Sequence, residues 1–215
     1  MLTKKSTIVA AVIFTTGLFA VTNASAGMNG PYFGGDIGEG FLHQEKVSGL
    51  TTSSSGSTGL AGRGFAGFQF GDYFSLETGY TKYTNVSIKG YNDDLFNAST
   101  TFDSYAIDVL VRVAMQIGGG FSIYGKIGPA FLKEISTTTA DYTDLALAEN
   151  PNLIGTTFRG IITDSKVFPE VGIGAMYDFS NNFSGDITWM HIQRIGDNNL
   201  RNADFAGVGL TYNMG

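Results

Sequence analysis

"GRGFAGFQFGDYFSLETGY", residues 62–80, decides the fold of this 215-residue chain. Its first glycines, Gly62, Gly64 and Gly67, have the G-x-G-x-x-G spacing of a dinucleotide-binding turn, which needs a strand before it and a helix after it to hold the pyrophosphate. No helical pattern follows. Phe65, Gly67 and Gln69 fall on one parity and Ala66, Phe68 and Phe70 on the other. Alternation then restarts after Gly71-Asp72-Tyr73, with Phe74, Leu76, Thr78 and Tyr80 set against Ser75, Glu77 and Gly79. That is strand, turn, strand, and the dinucleotide reading falls.

The same hairpin recurs as "VAMQIGGGFSIYGKIG" and "GAMYDFSNNFSGDITW", each with a three-residue turn, Gly118 to Gly120 and Ser180 to Asn182, expected directly before Phe-Ser. Ile107, Val109, Val111, Val113, Met115 and Ile117 share one parity, with Ala106, Asp108, Leu110, Arg112 and Ala114 on the other. Asp108 and Arg112 also fit a helical i, i+4 ion pair, but alternate valines followed by a glycine run favour a strand. Val171, Ile173, Ala175, Tyr177 and Phe179 oppose Glu170, Gly172, Gly174, Met176 and Asp178 in the same way. A soluble secreted sandwich would alternate too. Isolated charges among glycines on the polar parity suit a narrow lumen better.

The first 26 residues have Lys4 and Lys5, an apolar run from Ile8 to Val21, and Ala24-Ser25-Ala26. The run is shorter than the roughly 20 residues of a spanning helix, so residues 1–26 are expected to be a cleaved signal peptide rather than an anchor. Residues 27–215 then form a single β-barrel domain. Removing the two lysines takes the formal charge from −6 to −8, which argues against nucleic acid as a partner. With no cysteine in the chain, neither disulfides nor a thiolate metal site is available. The 30 glycines and 13% aromatic residues fit a β architecture with crowded turns and barrel positions.

Eight strands are expected, near 31–43, 61–70, 74–83, 102–117, 121–136, 164–179, 183–194 and 203–214. Short turns alternate with long polar connections near 44–60, 84–101, 137–163 and 195–203, the asymmetry of an eight-stranded antiparallel up-and-down transmembrane β-barrel. Phe74, Phe121, Tyr177, Phe183 and Tyr212 are expected to form an aromatic girdle at the periplasmic side. Glu77, Arg112, Lys126 and Asp186 share the inward parity, with Arg112 opposite Lys126, and are expected to form a lumen charge network. An interior of eight strands is filled by side chains, so a wide channel is not expected; a narrow pore for small solutes is the alternative.

"FSGDITWMHIQRIGDNN", "FAGVGLTYNMG", "YFGGDIGEG", "GFAGFQFGDYFSLETGY" and "IYGKIGPAF" follow one another in an order that resembles the OmpA-type eight-stranded outer-membrane barrel over essentially the whole chain after the first 26 residues. The resemblance implies an outer-membrane protein that supports envelope integrity, with external loops used for adhesion or contact with host surfaces. Its implied partners are outer-membrane lipid, lipopolysaccharide, the barrel-assembly machinery and an external ligand on the loops. Many family members continue into a peptidoglycan-binding domain; this sequence stops at Gly215, so no such domain is expected. Met214 stands where the family usually has an aromatic residue, and Met176 where it has a glutamate, so its lumen pairing does not transfer.

An enzyme on such a barrel, for example a lipid A deacylase or acyltransferase, needs a histidine beside a serine. His43 and His191 are the only histidines, and "MHIQR" offers no serine on the face of His191. No catalysis, cofactor or resident metal is expected. Asp93-Asp94 lie among Asn and Gly in a turn-forming stretch. The first long loop, "QEKVSGLTTSSSGSTG", is flexible by composition. The third contains Tyr142, Leu145, Leu147, Leu153, Ile154 and Phe158, which suit an extension of the fifth and sixth strands above the membrane. Such an extension is either an adhesive tip or a hairpin without ligand.

Overall fold

A computed structural model describes residues 29–42, 51–55, 58–83, 85–92, 96–142, 157–195 and 202–214. Its strands are β1 (Gly30–Leu42), β2 (Thr51–Ser55), β3 (Thr58–Phe70), β4 (Phe74–Tyr83), β5 (Val86–Asn92), β6 (Phe96–Gly118), β7 (Phe121–Tyr142), β8 (Thr157–Asp178), β9 (Phe183–Ile192) and β10 (Ala203–Asn213). Eight of them close a ring of antiparallel neighbours in the order β1, β3, β4, β6, β7, β8, β9, β10 and back to β1. Closure pairs every wall strand on both sides, the condition for placing a sheet in hydrocarbon.

The ring matches the expected eight strands, and the two extra strands correct the expected loops. β2 lies inside the stretch expected to be flexible and pairs with β5, which continues onto the outer end of β6. Serine and threonine runs read as linker by composition, yet a neighbouring edge that offers backbone donors and acceptors recruits them into a ladder. β6, β7 and β8 also run six or seven residues past their expected outer ends and remain paired there, down to Phe96↔Tyr142 and Asp141↔Thr157. The first 28 residues, Asp93-Asp94 and residues 143–156, including Leu145, Leu147, Leu153 and Ile154, lie outside the described residues.

The inner turns differ in length. Gly71–Tyr73 is the expected three-residue turn, but β6 reaches Gly118 through a register shift after Gln116, and β8 and β9 are joined by four residues, 179–182. Gly118, Gly119 and Gly120 have φ of 107°, 62° and 81°, a left-handed run that side chains with a Cβ resist.

Burial follows the expected parity. On β6 the side chains of Ala106, Asp108, Leu110 and Arg112 are buried, while Val109, Val111, Val113, Met115 and Ile117 are exposed. Burying the charges and exposing the valines inverts the pattern of a soluble protein, because the solvent outside the wall is lipid. Inside, the outer half of the lumen is an apolar core containing Leu42, Tyr83, Leu132, Phe168, Met190, Ile192 and Phe205. Arg63, Glu77, Asp108 and Lys126 lie beneath it, while Ser104 and Glu134 are buried on its outer side.

Candidate functional site

Below the apolar core, β3, β4 and β6 place Arg63, Glu77 and Asp108 together, with each side chain fully withdrawn from solvent. Arg63 Nη2 donates to Glu77 Oε1 at 3.0 Å and to Asp108 Oδ1 at 2.9 Å; Nη1 donates to Thr81 Oγ1 at 3.1 Å and also contacts Asp108 Oδ2. Lys126 Nζ, from β7, donates to Glu77 Oε1 at 2.7 Å. Tyr32 Oη, from β1, donates to Glu77 Oε2 at 3.1 Å. Glu77 is therefore the hub, accepting from three strands. These are charge-assisted bonds between side chains withdrawn from solvent, where a carboxylate is tolerated because its lone pairs are met.

Room for this cluster comes from glycine. A Cβ on Gly79 would collide with the Arg63 guanidinium, and one on Gly67 with the Tyr32 hydroxyl. Neither position needs unusual backbone; each needs empty space above it.

Arg112 and Lys126 are register partners, as the hairpin spacing implies. Two adjacent cations would repel, and the lumen deals with them separately. Lys126 takes Glu77. Arg112 lies 4.4 Å from the Tyr124 ring centroid and 5.9 Å from that of Tyr32, and directs Nη2 to Met176 Sδ at 3.2 Å. Aromatic faces stabilise a guanidinium without a counter-charge. Asp186 accepts from Tyr124 Oη at 2.9 Å. Of the four expected members, then, Glu77 and Lys126 touch, whereas Arg112 and Asp186 connect through Tyr124 instead of pairing with a charge among the described residues.

Sequence reasoning left out Arg63, Asp108, Asp36 and Glu170, all buried in the lumen. Asp108 stood on the correct parity and was detectable. Arg63 is harder to see, because it stands between Gly62 and Gly64 in the stretch that imitates a nucleotide motif. It was nevertheless accessible, since it shares the parity of Phe65, Gly67 and Gln69.

On the outer wall, Phe121 and Tyr177 lie 4.6 Å apart between centroids, and Phe183 and Tyr212 4.9 Å. Phe33 joins Tyr212 at 5.5 Å and Phe179 joins Tyr177 at 6.0 Å. Phe74 is exposed near the turn that follows Phe70. Phe33 and Phe179 were missed because a ring's neighbours across the closure seam and around a turn are set by the register. On β9, His191 points outward, its Nδ1 2.7 Å from Asp204 Oδ1 and its Nε2 3.0 Å from Gln193 Oε1. Trp189 stacks on it at 5.9 Å.

A closed eight-stranded ring with an apolar exterior and a charged, filled interior defines a transmembrane β-barrel. The chain belongs to the outer membrane protein β-barrel domain family, whose model matches residues 10–213, and it is accordingly an outer-membrane protein. It is 28% identical over 179 residues to an uncharacterized protein of Coxiella burnetii, covering 75% of this chain and 71% of that one. Outer membrane protein A of Yersinia pseudotuberculosis is 22% identical over 218 residues, covering 98% of this chain but only 56% of its own length. The barrel of OprG from Pseudomonas aeruginosa superimposes with a TM-score of 0.52 at 12% identity, over 86% of this chain and 98% of that one, which is a likeness of fold.

Proposed function

We propose that the barrel is a membrane support for a β-sheet that stands outside the cell and makes contact with external surfaces. The observation that carries this reading is the unequal length of the wall: β6, β7 and β8 have 23, 22 and 22 residues, against 10 in β4 and β9. Crossing hydrocarbon takes about 9–11 residues, so roughly half of each long strand is surplus to spanning. The surplus is not loose chain. It stays in register as a sheet extended by β5 and β2. Ile161 and Ile162 point to opposite faces of β8 and are 60% and 59% exposed, so apolar side chains are offered on both faces. Apolar groups exposed on a hydrogen-bonded polar sheet suit contact with another surface.

The pore reading is less well supported. Side chains from all around the wall meet in an apolar core above the charge network, leaving two successive obstructions along the axis. Catalysis is not favoured either, since the described partners of the His191 ring are Asp204 and Gln193, with no nucleophile among them. Residues 1–26 are read as a cleaved signal peptide and 27–215 as the barrel domain. Mass determination of protein recovered from outer membranes is expected to place its first residue at Gly27; an intact first segment contradicts that assignment. Assembly is expected to use the barrel-assembly machinery, and the wall to contact lipid and lipopolysaccharide.

Replacing residues 140–160 with a short Gly-Asn turn tests the main reading. The barrel is expected to assemble and keep its heat-modifiable gel mobility, while cells carrying it lose surface attachment. Unchanged attachment overturns the adhesive role.

A further inference from the structure

Asp36 of β1 and Arg63 of β3 are register partners on the inner face of the wall, the arrangement in which opposite charges normally pair. These two do not. Arg63 turns the other way and gives both terminal nitrogens to β4 and β6, through Glu77, Thr81 and Asp108. Asp36 is left 5% exposed, with neither carboxylate oxygen meeting a donor among the described residues. A carboxylate so placed is costly, and a fold retains one where something neutralises it.

The Asp36 side chain leans over β10, in the direction of β9. Its other register partner is Gly209, whose own partner on the far side is Asp186. A Cβ on Gly209 would collide with the Asp36 carboxylate, so the approach is open only because this position has no side chain. Asp186 Oδ2 accepts from the Tyr124 hydroxyl at 2.9 Å, and its Oδ1 is buried without a partner. From either side of a bare glycine, the two acids thus offer three unpartnered carboxylate oxygens.

The charge balance of the lumen points the same way. Beneath the apolar core, Asp36, Glu77, Asp108, Glu170 and Asp186 stand against Arg63, Arg112 and Lys126, a surplus of two negative charges. The three bases are already engaged: Arg63 and Lys126 with Glu77 and Asp108, and Arg112 with the rings of Tyr124 and Tyr32. There is also room for solvent. A polar cavity of about 20 Å³, enough for one water, reaches Met176, the register partner of Asp186.

We propose that Asp36 and Asp186 bind a divalent cation of calcium's size inside the barrel, over Gly209. Carboxylate oxygens select a hard ion, and a surplus of two charges selects a divalent one. Calcium accepts irregular coordination completed by water, whereas magnesium demands a near-ideal octahedron that acids fixed on separate strands do not supply. The ion ties β1 to β9 across β10, beside the seam where the wall closes. This site is independent of any surface attachment, so the two readings fail separately.

Equilibrium dialysis of the detergent-purified barrel against calcium, with magnesium in parallel, tests it. The native barrel is expected to bind about one calcium more than the Asp36→Asn/Asp186→Asn variant, and either single variant to bind about tenfold more weakly. Glu39→Gln is the control, because it removes an exposed carboxylate from the outer face of the same strand; it is expected to bind as the native barrel does. Equal calcium binding by the native and double-variant barrels, or an equal loss in Glu39→Gln, overturns the site. Magnesium bound as tightly as calcium overturns the choice of ion. No calcium on the native barrel assigns the two acids to a shared proton and overturns the proposal. Should the double variant not fold, urea unfolding of the native barrel is followed in calcium and in EGTA at matched ionic strength. A higher midpoint in calcium supports the site, since an ion held only by the folded wall stabilises it, and equal midpoints overturn it.

Discussion

Arg63→Ala is expected to lower the unfolding free energy of the barrel by roughly 3–5 kcal/mol, the usual cost of breaking a buried ion pair from one side. The guanidinium joins β3 to both carboxylates, and its removal leaves Asp108 without its cation and Glu77 with Lys126 and the Tyr32 hydroxyl. Arg112→Ala is expected to cost less, because Arg112 rests on aromatic faces and a thioether, and no carboxylate loses its partner when it goes. The measurement is urea unfolding in detergent or bilayers, read by gel mobility. A second substitution separates charge from packing. Adding Asp108→Asn to Arg63→Ala removes the stranded charge and is expected to restore part of the loss, a non-additivity that neighbours in one network show. Equal stability of the native and Arg63→Ala barrels, or a greater loss from Arg112→Ala, contradicts this ordering.

Gly38→Val is expected to have a comparable or larger effect, on the order of 5 kcal/mol, by a different route. Gly38 sits on the closure seam, where β1 meets β10 and Gly38 faces Gly207. A Cβ there would run into the Ala206 carbonyl and the Gly207 Cα. A side chain in the way can turn aside, but backbone cannot without breaking the ladder. Overpacking alone costs about 1–3 kcal/mol, and each ladder bond opened toward lipid costs several more. Gly64→Val is the matched control on the neighbouring strand, since nothing lies within 4 Å of its Cβ position. It is expected to stay within about 1 kcal/mol of the native protein, valine being at home in a lipid-facing strand. A fully assembled Gly38→Val barrel, or equal damage from both valines, refutes the seam argument.

Alternation along the chain was sufficient to separate the two faces of β6, β8 and β9, because a strand's period of two is a local property that survives whatever lies next to it. The positions of the three inner turns, though not the lengths of two of them, and the opposition of Arg112 to Lys126 were legible for the same reason: each depends on a hairpin closed within a few residues. Membership of the lumen was legible as well, so Glu77, Lys126 and Asp186 were placed on the correct side of the wall. Their partners were not. Arg63 reaches Asp108 across 45 positions of chain, through a space that exists only because Gly79 has no side chain. Pairing of that kind is decided by the stagger of strands around the ring, which alternation does not encode. The outer sheet was anticipated only where Tyr142 and Phe158 hinted at longer fifth and sixth strands. β2 and β5 were hidden, since a short serine-threonine run and the seven residues Val86–Asn92 amid polar sequence carry too little pattern on their own; β5 becomes a strand along the open edge of β6, and β2 along that of β5.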